Sequence, residues 1–361
     1  MIRKLMLVIL TAILFSAQSN AGTRKAVQRG LDWLIQQQHP KGYWGSYNRE
    51  HHRVAMTSLA GMALLMEGST LSAGKYLKPL RKAVKWILKC SRREEEVDGL
   101  IYADNAWHSD NHYMFDHGYA LLFLASAYGE ENRPWMRRQI QDALFRAVKL
   151  SSKAQTRYGG WGYNVDSGGF DEVSVTLTQI QGLRAAAQSG IAIPENVIKN
   201  ARRYLHLCTA SEGGVLYDGR RRLQQSRGLA VSSVNCAFSP EGYRCPLVIR
   251  WLEEADRAVP AVLNRGLCAV EFHRFYIAQT IHSLGENGAE KLSERLKGKS
   301  SLVWSKFRAQ LFNQLIKQQR LDGSCASTIV DSIYSTSVNL CVLQLEKRTL
   351  PIFRIRRQDH R

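Results

Sequence analysis

The chain has 361 residues, 45% hydrophobic and 22% charged, enough apolar content for a substantial core and too much for a disordered chain. Fifty Lys+Arg against 31 Asp+Glu give +19, a charge that favours anionic neighbours. The basic clusters Arg202-Arg203, Arg220-Arg221-Arg222 and Arg354 to Arg361 come with no nucleic-acid fold signature, so an acidic polysaccharide or an anionic membrane surface is expected ahead of nucleic acid.

Arg3 and Lys4, the apolar run Leu5 to Phe15 and the small residues of Ser19-Asn20-Ala21 read as a secretory signal cleaved after Ala21. The run is too short to span a bilayer, and no transmembrane segment follows. The expected organisation is a signal over 1–21, one domain over 22–353 and a basic tail over 354–361, in a protein that is periplasmic or secreted. Seven cysteines are an odd number for a compartment that permits disulfides. Cys236 and Cys245 bracket a Pro/Gly loop and could bridge; the others read as buried thiols. No CxxC pair is present, so no structural zinc is expected, and nothing calls for a cofactor.

The first predicted helix, "RKAVQRGLDWLIQQQ", has apolar residues at three- and four-residue spacing with charges opposite. It opens a ruler: Arg29-Gly30, Trp33-Leu34, Gln38, Gly42, Trp44. The next predicted helix, "VAMTSLAGMALLME" (Val54 to Glu67), is apolar all round and belongs inside a ring of others. The pattern then repeats. "PLRKAVKWILKC" reaches its glycine, Gly99, after an inserted charged run, and "HGYALLFLASAYG" (His117 to Gly129) follows. Arg146-Ala147, Leu150-Ser151, Gln155, Gly159 and Trp161 reproduce the ruler interval for interval before "VSVTLTQIQGLRAAAQ" (Val173 to Gln188). Looser copies end at Gly213 and Gly323, and between them a unit without the signature falls over Val248 to Asn264. "FYIAQTIHSLG" (Phe275 to Gly285) and "YSTSVNLCVLQLE" (Tyr334 to Glu346) complete the inner set. Six hairpins with amphipathic outer and apolar inner helices predict an all-α (α/α)6 toroid. "GLIYAD" (Gly99 to Asp104) and "GGVLYD" (Gly213 to Asp218) are short enough to be extended turns.

The Gln-xxx-Gly-x-Trp ruler resembles the QW repeat of the terpenoid cyclase and protein prenyltransferase superfamily over the whole chain after the signal. "YMFDHGYALLFLASAYG", "GGWGYN", "SVT" and "IYSTSVNLCVLQLEKRTLPIF" look like secreted planctomycete-type prenyltransferase and squalene oxidase repeat proteins. The resemblance implies a toroid with a ligand in its lumen. It does not carry the superfamily's chemistry. The Asp-x-Asp-Asp acid of triterpene cyclases is absent, and Asp331, near the place of the prenyltransferase Asp-x-Cys, is followed by Ile333 in place of cysteine. The thioester motif of complement-type toroids is missing as well.

Residues at the starts of inner helices would ring one end of an axial cavity. These are His51-His52, Asp116-His117, Asp171-Glu172, His273 and Asp331, with Tyr334 at the same mouth. Asp171 and Asp331 also fit helix capping. Asp116 and His117 could do acid/base work, although neighbours on a helix point about 100° apart. Trp44 and Trp161 are expected to stack beneath the glutamine and tie one hairpin to the next. The leading expectation is a non-catalytic module binding a hydrophobic or anionic ligand. The alternatives are a prenyltransferase- or cyclase-like enzyme on an isoprenoid, or a carbohydrate-active toroid with carboxylates drawn from Asp116, Asp171 or Asp331. A polar lumen with two facing carboxylates would favour the last.

Overall fold

The computed structural model describes residues 21–45, 52–103, 112–217, 229–230, 232–233, 246–264, 270–327, 331–347 and 350. The first twenty residues, Cys236, Cys245 and the tail 354–361 lie outside them. The outer helices are α1 (21–37), α3 (Leu77–Lys89), α5 (Pro134–Ala154), α7 (Glu195–Leu207), α8 (Pro246–Leu263) and α10 (Trp304–Gln318). The inner helices are α2 (Arg53–Met66), α4 (Met114–Gly129), α6 (Val173–Gln188), α9 (Val270–Leu284) and α11 (Ser332–Leu343), and the helical residues 229–230 and 232–233 fall between α6 and α9 in the chain.

The two layers follow from patterning. α2 buries every residue from Val54 to Met66, whereas α3 buries only Leu80, Ala83, Val84 and Ile87. α8 occupies the stretch where the sequence placed the unit lacking the ruler. The two short extended stretches form no strand; each contributes an isolated bridge, Ser91 to Ile101 and Thr209 to Val215. Among the described residues no helix is long and apolar enough to cross a membrane.

The ruler is a joint between hairpins. Gln38 Nε2 donates to Gly42 O within its own turn at 2.9 Å and to Pro79 O at the start of α3 at 3.0 Å. Gln155 repeats this with Gly159 O and Val197 O, and Gln319 with Gly323 O and Ala26 O. The last pair joins the sixth hairpin to the first, so the ring closes. Glycine is required because the turn has φ +104 at Gly42 and a Cβ there would lie 2.5 Å from Lys82 O of the next outer helix. Gly99, Gly159, Gly213 and Gly323 press in the same way on Arg146, Asn200, Arg250 and Arg29.

The tryptophans act differently from the expectation. Trp44 Nε1 donates to Leu34 O at 2.6 Å and Trp161 Nε1 to Ser151 O at 2.7 Å, so each indole fastens its turn to its own outer helix. The tie between hairpins comes from the glutamine, joined by contacts such as Trp251 Nε1 to Thr209 Oγ1 and Arg203 to Arg157 O. The turn is fixed to the inner helix by a threonine: Trp44 N donates to Thr57 Oγ1, Trp161 N to Thr176 Oγ1 and Cys325 N to Thr336 Oγ1.

Candidate functional site

The joints place the N-termini of the inner helices together at one end of the ring. At that mouth α2 begins without a capping side chain: its N-cap residue, His52, sits in the left-handed region at φ 68. A non-glycine residue held there signals that its surroundings over-determine it. Asp116, in the first turn of α4, takes over the capping. Its Oδ1 accepts from Ala55 N at 2.8 Å, and its Oδ2 bonds His52 Nδ1 at 2.6 Å. The carboxylate is fully buried while the His52 side chain keeps 30% of its surface exposed. Burial opposes a charge on the His52 ring, but the Asp116 carboxylate and its hydrogen bond outweigh it and raise the imidazole above its ordinary value. The result is a carboxylate–imidazole pair, buried on the carboxylate side and partly exposed on the imidazole side.

Aromatic side chains border the pair. Phe115 meets His52 edge-on, Tyr163 lies beside Phe115 and stacks on His112 at 3.8 Å, and Phe170 abuts Tyr163. The Tyr163 hydroxyl is hydrogen-bonded to that of Tyr217. Phe115, Tyr163, Phe170 and Tyr217 are half-buried, so their rings form a shelf at the rim.

Below the rim the interior is polar and occupied. Tyr119 and Tyr334 share a hydrogen bond, and burial raises both phenols. Glu271 accepts from Ser335 Oγ at 3.1 Å. Gln181 of α6 reaches Gln279 of α9 at 2.8 Å, although another inner stretch separates those helices in the ring. These contacts place polar groups where a hydrophobic isoprenoid would need apolar walls.

The sequence-derived candidates divide. Asp116 and Asp331 lie at the mouth, and Tyr334 points below it to Tyr119. Asp331 Oδ1 caps α11 by accepting from Tyr334 N at 2.9 Å, and its Oδ2 is buried without a partner. His273 of α9 is buried, with Nδ1 3.5 Å from Ser232 Oγ. His117 turns away from the mouth into the layer between α4 and α5. Its Nδ1 accepts from Ile101 N at 3.2 Å and its Nε2 faces Ser151 Oγ at 3.0 Å, while burial pushes the imidazole down to about 4. Asp171 also points outward and accepts from Thr156 Oγ1 at 2.7 Å. The cap of α6 is Glu172, which accepts from Ser174 N and Val175 N. His51 lies outside the described residues.

His52 is among the inner-helix starts that the sequence singled out, whereas Glu271 and the aromatic shelf carry no local motif. Cys90, Cys208, Cys325 and Cys341 are buried, and burial raises the Cys90 thiol to about 12. Among the described residues no group of three His, Cys, Asp or Glu side chains could hold a metal ion.

No family model and no curated protein matches the chain. Solved structures do. An inactive variant of the GH76A α-1,6-mannanase of Salegentibacter sp. HEL1_6, in complex with α-1,6-mannotriose, matches with a TM-score of 0.57 at 8% identity, over 90% of this chain and 99% of that one. A second inactive variant, with α-1,6-mannotetrose, has a TM-score of 0.58 at 8% identity over 90% and 98%. The mannanase itself gives 0.57 at 9% identity over 89% and 97%. The fold is an α/α toroid. These matches also correct the family resemblance: they are glycoside-hydrolase toroids rather than terpenoid cyclases or prenyltransferases, and the prenyltransferase and squalene-cyclase labels fall with it. The physical reason lies in the joint. A Gln-Gly-Trp ruler meets the geometric need of any hairpin that must dock on the next, so it reports architecture and carries no reaction with it.

Proposed function

We propose that the chain is a carbohydrate-active toroid that binds a glycan across the mouth of the inner ring and acts on its glycosidic linkage. The observation that carries this reading is the Asp116–His52 pair, buried on the carboxylate side, open on the imidazole side and bordered by half-buried rings. Aromatic faces suit the apolar faces of sugar rings, and a polar interior suits their hydroxyls. The fold shared with mannanases that bind mannotriose and mannotetrose supports it.

In this reading His52, kept protonated by Asp116, donates from Nε2 to the departing glycosidic oxygen. The second group is Asp331, whose Oδ2 at the start of α11, the inner helix beside α2, takes a proton from a water that attacks the anomeric carbon as the glycosidic C–O bond breaks. The mannanase variants are inactivated at two adjacent aspartates. In this chain the adjacent acids Asp171 and Glu172 serve Thr156 and the start of α6, so the work falls to separate residues. Export through the segment 1–21 would bring the mouth to extracellular glycans.

The test is a panel of neutral and acidic polysaccharides with α-1,6-mannan first, following binding by calorimetry and cleavage by new reducing ends. His52→Ala and Asp331→Asn should abolish cleavage, and Tyr163→Ala should weaken binding. Full activity in His52→Ala, or no binding to any glycan, would overturn the reading.

A further inference from the structure

Helix α3 contains no acidic residue, and its water-facing side carries Lys78, Lys82, Lys85 and Lys89. Steps of four, three and four residues keep these side chains within one narrow face, spread over roughly 16 Å at about 1.5 Å per residue. All four are exposed, and none has an ion-pair partner among the described residues. The neighbouring acids are engaged, Asp32 with Lys75 at 2.9 Å and Glu94 with Arg92. Four unpaired cations in a row repel one another, an arrangement that an anionic partner relieves.

Beside the mouth end of this row lies a ladder of rings. His39 stacks on Tyr43 at 4.3 Å, Tyr43 lies 5.1 Å from Trp86, and the Arg53 guanidinium sits over Tyr43 at 5.2 Å. These side chains are half-buried, so ring surface remains open next to the lysines. At the other end a hollow of about 810 Å³ opens between α1 and α3, lined by Asp32, Ile35, Gln36, Lys75, Tyr76 and Pro79. Arg53, which follows His52 in the chain, thus links the ring ladder to the start of α2.

We propose that this face of α1 and α3 is a binding surface for an acidic polysaccharide, with the lysines meeting its carboxylates or sulfates and the ring ladder meeting its sugar faces. The row is linear and one-signed, as a linear polyanion requires. A membrane is disfavoured because the row carries no exposed apolar side chain; among the described residues the large exposed hydrophobic side chains, Trp135, Phe145, Tyr158, Leu207 and Leu321, belong to other segments. The surface stands on its own residues and does not depend on the reaction assigned to the mouth.

The test measures affinity of the full chain for polygalacturonate and dextran sulfate at low and high salt, beside neutral α-1,6-mannan, phosphatidylserine vesicles and a DNA duplex. Binding should favour the acidic polysaccharides and weaken with salt. Replacing Lys82, Lys85 and Lys89 together by glutamine should reduce affinity roughly tenfold, the sum of three modest exposed ion pairs. Tyr43→Ala should weaken it further. A control with Lys149, Lys153 and Lys199 changed to glutamine should stay within about twofold. Equal loss in the two triple variants, tighter binding to vesicles or DNA, or no binding at low salt would overturn the proposal. His52→Ala should retain the affinity; loss in that variant with the row intact would move the polyanion to the mouth, overturning this surface while leaving the mouth reading in place.

Discussion

Lowering the pH from 7 to 4 should destabilise the protein through His117. The ring is buried and neutral: Ile101 N–H can only donate to Nδ1, so the proton resides on Nε2 and points to Ser151 Oγ, which in turn donates to Gln179 Oε1 at 2.9 Å. Burial depresses the folded-state pKa from 6.5 to about 4. For a depressed histidine, the unfolded chain takes up the proton first. The stabilisation is therefore complete above about pH 6.5 and is lost as pH falls toward 4, at about 1.4 kcal/mol per pH unit and about 3 kcal/mol in total. Denaturant unfolding at half-unit pH steps measures the slope. His117→Gln keeps an acceptor and a donor of similar reach without titrating, so the difference between wild type and variant should shrink by about 3 kcal/mol between pH 7 and pH 4. A difference that stays constant over this range would show that His117 does not fold as a buried neutral ring.

Three further outcomes follow from the same contacts. Gly323→Ala and Gly190→Ala both place alanine at positive φ, but Gly190 faces open space while Gly323 presses on Arg29 O. Gly323→Ala should therefore cost about 1–3 kcal/mol more in denaturant melts, and equal costs would mean that the ring is not closed by this contact. Asp116→Asn should lower the His52 pKa, read by imidazole titration in NMR. In wild type the pair's stabilisation is full below the unfolded histidine value and fades as pH rises through the raised folded one; an unmoved titration in the variant would refute the pairing. Gln155→Ala removes donations to Gly159 O and Val197 O and should cost about 1–2 kcal/mol by thermal or denaturant unfolding, with no change counting against the joint.

The helical layers, their number and the joints were readable because they rest on local spacing. Residues three and four apart share a helix face whatever surrounds them, and Gln38, Gly42 and Trp44 lie within one turn of chain. The same locality misled on Trp161, whose stacking under Gln155 was inferred from proximity; the indole N–H instead takes the nearest free carbonyl, that of Ser151. It also misled on family, because a joint that any such ring needs was read as a mark of descent.

What the sequence by itself determined is therefore the toroid: a periodicity that sorts outer from inner helices, and a repeated turn that docks each hairpin on the next. Only the tertiary structure decided the mouth. His52 and Asp116 are 64 residues apart and Gln181 and Gln279 are 98 apart, and no local pattern specifies which of two adjacent side chains, Asp116 or His117, will face inward. That choice is made when α2 and α4 pack, because α2 arrives without a cap and the carboxylate beside it is the group that can supply one.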